Sequence, residues 1–431
     1  MNVEGISNML ESCLTFEPGF YEFRDAQLLD DMQSVHVLGR EFTGKKDLDA
    51  LKKYVSSLLW FTYRKNFAPI GGTGPTSDQG WGCMLRCAQM LMGHTLTVRH
   101  LGRTWQWCPE KSKSETYLKV LKMFQDRKDC LYSLHQIAQM GVSDTRKIGD
   151  WFGPNTAAQV LKKLAIFDEW SRISVHVALD NVLVHKDVRL MARTKPPQRR
   201  ICQGQGSGHK EAPLNSIEQN ITDESSEIGL EGTWRPLLII IPLRLGLREI
   251  NRCYIPAFQE LFKIPQFSGV LGGRPNHALY IVGMIGEKMI YLDPHFCQQA
   301  VNIDKPPKME DDFEAVGAED ATKDSDEEDV TSDDSSFHCP YMLHVNYNSL
   351  DPSLAVAFTC LDEADYEDLC ARLQENVLKE NPSLFHVMEK RPKGFPKFVP
   401  YSGLDEKIEI KEFWDLGDPQ YNSDEDFELL E

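Results

Sequence analysis

Thr76-Ser77-Asp78-Gln79-Gly80-Trp81-Gly82-Cys83-Met84-Leu85-Arg86-Cys87-Ala88-Gln89-Met90 is a polar, glycine-bearing turn that runs straight into an apolar stretch. From Met84 onward the apolar residues Met84, Cys87, Ala88, Leu91 and Met92 recur at three- and four-residue spacing, the pattern of one buried helical face. Gly80 and Gly82 disfavour a helix and belong to the turn before it. Cys83 therefore falls in the first helical turn, where unpaired backbone N–H groups and the helix dipole favour a thiolate. A cysteine is often no more than a small buried residue. The glycine-tryptophan-glycine approach makes this one a candidate nucleophile as well.

A nucleophilic thiol needs an imidazole to take its proton, and the imidazole needs a third group to fix its tautomer. Twelve histidines are available. His295 stands out because Met289 to Leu292 reads as a strand that ends in Asp293-Pro294-His295. Side chains at i and i+2 of an extended chain point the same way, so Asp293 and His295 can face one site. Pro294 keeps Asp293 extended, and an aspartate that near favours and orients an imidazolium. Asp-Pro-His is also an ordinary turn composition; joined to Cys83 it becomes a candidate Cys-His-Asp set. Acyl transfer further requires donors for an oxyanion. The backbone N–H of Cys83 is one candidate, and Tyr63 and Gln79 are the side-chain candidates, although Tyr63 sits in an aromatic run where packing is the common role.

The 431 residues suffice for one large or two ordinary domains, and 41% hydrophobic content supports a globular chain. A formal net charge of −18 argues against a nucleic-acid partner, which would call for clustered Lys and Arg. The first twenty residues carry Glu4, Glu11 and Glu17 and have no basic, apolar signal pattern, and no apolar run reaches the roughly 20 residues of a membrane span. Eleven scattered cysteines, an odd number, are expected to be reduced thiols in the cytoplasm. Cys83 and Cys87 form a C-x3-C pair, but no second pair stands at zinc spacing, so neither a metal nor a cofactor is expected.

Helical patterns cover 46–59, 114–125, 131–140, 155–165, 247–262 and 363–379, and strand patterns 173–184, 234–245, 278–285, 288–292 and 353–360. Segment 186–233 turns to Lys, Arg, Pro, Gly, Ser and Glu and reads as a flexible insert. Segment 306–336 holds thirteen Asp or Glu against two Lys and reads as an acidic, disordered insert. These pieces give a mobile N-terminal segment (1–29), one α/β (α+β) domain (30–380) and a flexible C-terminal tail (381–431).

Tyr63-Arg64-Lys65-Asn66-Phe67, Gly71-Gly72-Thr73-Gly74-Pro75-Thr76-Ser77-Asp78, Gly80-Trp81-Gly82-Cys83-Met84-Leu85-Arg86-Cys87, Trp151-Phe152-Gly153-Pro154-Asn155-Thr156, Leu245-Gly246-Leu247, Gly272-Gly273-Arg274-Pro275-Asn276 and Leu292-Asp293-Pro294-His295 resemble, in order, the signature segments of the autophagins. These are cytosolic cysteine proteases of autophagy with a papain-like fold, a family-specific subdomain and ubiquitin-like substrates of the GABARAP type. The resemblance spans most of 30–300 and resumes at 337–375. It implies that Cys83 is the nucleophile, His295 the general base and acid, Asp293 its orienter and Tyr63 an oxyanion support. It also implies that Trp151 and the loop of Pro275 and Asn276 cover the cleft.

The implied activities are trimming of a modifier precursor after its C-terminal glycine and release of the modifier from phosphatidylethanolamine. Partners would be both forms of the modifier, with peripheral contact to autophagic membranes through the substrate, and the enzyme would be a monomer. Gly80 and Gly82 would let the substrate's glycine tail lie close to the backbone. Phe427-Glu428-Leu429-Leu430 behind Asp424, Glu425 and Asp426 resembles a short modifier-docking motif, with Phe427 and Leu430 as its apolar anchors. His277 and Leu279 depart from the family pattern, and His277 reads as a loop residue with no acidic partner beside it. A modifier-binding pseudoenzyme and a thiol acyltransferase remain as alternatives built on the same residues.

Overall fold

The computed structural model describes residues 33–112, 114–142, 146–178, 181–193, 233–274, 277–303, 334–379, 382–392, 394, 398 and 400. In chain order the described elements are β1 (Ser34–Val37), β2 (Arg40–Thr43), α1 (Leu48–Ser56), β3 (Arg64–Lys65) and α2 (Cys83–Leu101). Three helices follow, α3 (Glu115–Lys122), α4 (Leu134–Val142) and α5 (Pro154–Leu164), then β4 (Ser174–Val177), β5 (Val182–Val184) and α6 (His185–Arg193). The second half holds β6 (Leu237–Arg244), α7 (Ile255–Leu261), β7 (Phe267–Arg274), β8 (His277–Ile285), β9 (Lys288–Leu292) and β10 (Gln298–Gln299). It closes with β11 (Leu343–Asn346), β12 (Ser353–Cys360), α8 (Glu363–Arg372) and β13 (His386–Met388). Among the described residues no helix is long and apolar enough to cross a membrane.

One mixed sheet in the order β11-β9-β8-β7-β12-β6-β4 forms the floor of the molecule, with β1 paired to β8 and β2 to β1. Its pairs are antiparallel except β4 with β6. Central strands read as runs without polar alternation, Leu238-Ile239-Ile240-Ile241 in β6 and Ala355-Val356-Ala357-Phe358 in β12, because both faces are covered. Helix α2 packs across β7 and β8 with α3, α4 and α5 around it. The spacing of its apolar residues points to one buried face, yet burial also reaches the polar Arg86, Gln89 and Thr95. A helix enclosed on most sides needs partners for such groups, and here Arg86 bonds to Asp78, Asp126 and Gln89 while Gln89 bonds to the Tyr132 carbonyl.

Several sequence expectations are revised. The run 173–184 is two strands in different sheets, since β4 joins the main sheet while β5 pairs with β13; Asn181, at φ 58°, lies in the bend between them. The helix expected over 247–262 is confined to Ile255–Leu261, because Pro256 has no N–H to bond to a preceding turn. Leu247 is left 86% exposed in the loop before it. Strand β7 is absent from the strand patterns of the sequence, yet it is a central strand whose glycines answer a steric demand: a Cβ on Gly269 would meet the Tyr280 ring at 2.7 Å, and one on Gly273 the His277 carbonyl at 2.2 Å. Segment 186–233 opens with most of α6, and segment 306–336 ends in a buried Asp334 that accepts from Trp107 and Tyr117.

Asp78, fully buried, ties the turn to the helix that follows. Its two carboxylate oxygens take a bidentate pair of bonds from Arg86 (2.8 and 3.0 Å), and Oδ1 also accepts the backbone N–H of Arg64 (2.7 Å). Asp126 completes the network at 2.8 Å from Arg86. Removing the guanidinium leaves two carboxylates buried without their cation, a change that costs about 3–5 kcal/mol for buried pairs. Arg86→Leu is expected to lose stability on that scale in urea unfolding; a loss below about 1 kcal/mol, the scale of exposed pairs, would show that the network does not hold the turn.

Candidate active site

Cys83 is the first residue of α2 and is 1% exposed. The turn that delivers it is shaped by two glycines for different reasons. Gly80 has φ +88°, and Gly82 lies against Asp78, whose Oδ2 would be 2.3 Å from any Cβ. Gly82 therefore answers the buried carboxylate beneath it. Its N–H donates to the Asp78 carbonyl (2.9 Å), and Trp81 Nε1 donates to the Ser77 carbonyl (3.1 Å).

Asp293 and His295 come off the end of β9, as the alternation of the strand requires. Asp293 Oδ1 accepts from both His295 Nδ1 (2.6 Å) and the His295 backbone N–H (2.9 Å). That fixes Nδ1 as the protonated nitrogen and turns Nε2 outward from the pair. The segment is anchored from outside: Trp60 Nε1 donates to the Asp293 carbonyl (2.7 Å), and the Trp60 ring stacks on Phe296. Tyr63 N–H donates to the Pro294 carbonyl (2.8 Å), and Gln298 N–H donates to the Tyr63 carbonyl (2.9 Å), so β3 and β10 run side by side. Tyr63 thereby places its ring edge-on to His295, centroids 5.3 Å apart.

The structure thus brings Cys83, His295, Asp293 and Tyr63 together. Burial works against a thiolate, yet the His295 ring, the Ala278 N–H and the Tyr63 hydroxyl hold the Cys83 thiol below its ordinary value of 9.0. Burial likewise opposes a charged His295, but Asp293 and Cys83 carry its pKa up to about 9. For Asp293 burial is again outweighed, by its bond to His295 and by the charge of His295, which keep the carboxyl ionised. Cys87, one helical turn on, lacks these partners; burial and the neighbouring Cys83 push its thiol well up. Tyr63 is also held protonated, by burial and then by the charge on Cys83. The thiol and the imidazole act on each other's ionisation although no hydrogen bond of ordinary geometry ends on the buried His295 Nε2. Catalytic contacts of this kind commonly tighten when substrate binds.

Of the remaining expected residues, Gln79 is half-buried in the turn with its backbone N–H on Ser77 Oγ (3.3 Å). Trp151 is 39% exposed beside the fully buried Phe152. Pro275, Asn276, Phe427 and Leu430 lie outside the described residues, as does segment 1–29. His277 differs from its reading as a loop residue without an acidic neighbour. It begins β8, stacks flat on His295 with centroids 3.6 Å apart and planes 2° apart, and its Nε2 is 4.0 Å from Asp293 Oδ2. His277, Asp293 and His295 bring one donor atom each within 4.8 Å, but parallel rings cannot both aim an in-plane lone pair at an ion between them. Trp60 and His277 were legible only as types, since nothing in their local pattern links them to a site some 230 or 20 residues away.

An imidazolium sustained by Asp293 keeps Cys83 ionised below the range of a free thiol. Asp293→Asn removes an adjacent charge of the kind that moves a pKa by about 1–3 units. Alkylation of Cys83 by iodoacetamide near neutral pH, followed by mass spectrometry, is expected to slow by roughly tenfold or more in that variant; an unchanged rate would mean that Asp293 does not sustain the ion pair.

Residues 48–372 match the peptidase C54 catalytic domain. The chain is 42% identical over 408 residues to the cysteine protease ATG4A of Gallus gallus, covering 94% of this chain and 99% of that one. It is 41% identical over 404 residues to the cysteine protease ATG4A of Homo sapiens, with 93% and 94% covered. With the cysteine protease ATG4B of Gallus gallus it shares 40% identity over 429 residues, 97% and 98% of the two chains. Matches of this extent, on an α/β fold whose Cys83 and His295 meet across a helix N-terminus and a sheet end, show that the chain belongs to the autophagins, the papain-like cysteine proteases of peptidase family C54.

Proposed function

We propose that the chain hydrolyses the bond that follows the C-terminal glycine of a ubiquitin-like autophagy modifier, in the precursor and in the phosphatidylethanolamine conjugate. The observation that carries this reading is the buried line Asp293–His295–Cys83 with the Tyr63 hydroxyl on the thiol. The Cys83 thiolate attacks the glycine carbonyl, forming a C–S bond and an oxyanion that the Cys83 N–H and Tyr63 stabilise, with Gln79 in support. Collapse breaks the C–N bond, and the leaving amine takes the proton from His295 Nε2. A water then gives its proton to His295 and attacks the thioester, which frees the modifier and restores the thiolate. Asp293 keeps the ring oriented throughout.

One chemistry serves both substrates because the leaving group is an amine in each, a peptide nitrogen in one and ethanolamine in the other. Trp151, with Pro275 and Asn276, covers the cleft so that only a slender glycine-ended tail enters. The tail motif of Phe427 and Leu430 docks a modifier body by adding an extended segment to a sheet edge. The printed names of the relatives, cysteine protease ATG4A and ATG4B, support the reaction class and the pathway.

Tagged modifier precursor incubated with the Cys83→Ser variant is expected to stay intact, and release of the tag at the wild-type rate would overturn the assignment. Tyr63→Phe is expected to lower kcat by roughly 100-fold, the scale of one lost oxyanion donor; a change under about threefold would remove Tyr63 from that role. Phe427→Ala is expected to weaken modifier binding while a short glycine-ended peptide is cut as before. Equal binding by both proteins would dismiss the motif.

A further inference from the structure

His277 is the half-buried titratable group at the site that the reaction scheme leaves without a task. Its position is specific in three ways. Its ring is stacked on the His295 ring, centroids 3.6 Å apart and planes within 2° of parallel. Its Nε2 faces Asp293 Oδ2 at 4.0 Å, the carboxylate oxygen that His295 leaves unused, since both bonds from His295 end on Oδ1. It stands at the first position of β8, one residue before the Ala278 amide that points to the Cys83 thiol, and opposite Arg274 on β7.

Those placements define what the ring does in each charge state. A neutral imidazole stacked on a cation attracts it through the π face and fixes its plane. The His295 side chain is 2% exposed and that of His277 25%, so the stack also stands between the catalytic imidazole and water on that side. A charged His277 reverses this: two parallel cations in contact repel, and the new cation has Asp293 Oδ2 as its nearest anion. The charged and titratable groups that face it are Asp293 and His295 beyond β9 and Arg274 across the β7–β8 pair, with Cys83 behind His295. Arg274 and His295 both disfavour a further positive charge, and Asp293 alone favours it.

We infer that His277 is a positioning residue: neutral, it holds the His295 ring flat against Asp293, and on protonation it takes the free oxygen of Asp293 and releases His295, shutting the site on the acid side. The inference rests on the proposed Cys83–His295 chemistry. Burial and the charge of His295 bring the His277 pKa down to about 4, which keeps the ring neutral through the working range. The acid limb of the reaction then records two protons, one on the Cys83 thiolate and one on His277.

The test compares wild type, His277→Ala and His277→Phe with Cys83→Ser as control, measuring kcat and KM on a glycine-ended tagged modifier and the alkylation rate of Cys83 against pH. His277→Ala is expected to lose kcat on the order of tenfold with KM unchanged, within what misplacing a reacting group costs. His277→Phe, a flat ring that cannot take a proton, is expected to recover most of that loss. The logarithm of the alkylation rate should fall toward low pH with slope two in the wild type and slope one in His277→Phe. Equal impairment of the Phe and Ala variants, or a wild-type limb of slope one, would overturn the inference. If Cys83→Ser itself turned over substrate, the proposed chemistry would be at fault; with that control dead, either overturning result removes His277 alone.

Discussion

The Asp78 carboxylate is the constraint on which the site depends. It lies inside the protein, 0% exposed, and a buried charge is tolerated only when it is paired and hydrogen-bonded. Its partners are the Arg86 guanidinium from α2 and the Arg64 amide from β3. One side chain therefore fastens the strand that directly follows Tyr63 to the helix that carries Cys83. Gly82 has to be glycine because the carboxylate fills the space where a side chain would start. The turn Asp78-Gln79-Gly80-Trp81-Gly82-Cys83 is the covering of this network, and its residue types follow from what lies under it.

Around that fixture the fold assembles the opposite wall from backbone bonds. The Tyr63 amide and carbonyl bond to Pro294 and Gln298, and Trp60 bonds to the Asp293 carbonyl, so Asp293 and His295 are gripped on both sides of Pro294. The Ala278 amide at the start of β8 reaches the thiol from the sheet. Burial alone would favour a neutral thiol and a neutral imidazole. The bond from His295 to Asp293 at 2.6 Å is what tips the pair toward charge, because it gives the imidazolium a partner that water cannot replace. Cys87 sits one turn further along the same helix without such a partner and stays a buried thiol.

The parts of this arrangement that are local in sequence were legible there. Helix periodicity placed Cys83 at a helix start, strand alternation put Asp293 and His295 on one side of a strand end, and the runs at 278–285, 288–292 and 353–360 read as the strands they are. What sequence reasoning missed is set by tertiary neighbours. Strand β7 was hidden by Gly269, Gly272 and Gly273, at least two of which are dictated by the adjacent β8. The burial of Arg86 rests on Asp126, forty residues on, along with Asp78, and no local pattern announces that pairing. His277 gave no local sign of a partner, because Asp293 reaches it across the β8–β9 pair. The helix expected over 247–262 failed on a single residue, Pro256, whose place within that pattern carried the warning.

The proposed reaction delivers a modifier's C-terminal glycine to Cys83 and to no other of the eleven cysteines. The most direct measurement uses a modifier whose C-terminal glycine carboxyl is replaced by a thiol-reactive group, mixed with the full chain and mapped by peptide mass spectrometry. One stoichiometric adduct is expected, on Cys83, formed at neutral pH and abolished when the modifier's body is omitted in favour of the reactive group alone at the same concentration. An adduct spread over exposed thiols such as Cys253, or seated on Cys297 or Cys370 with Cys83 unmodified, would contradict it.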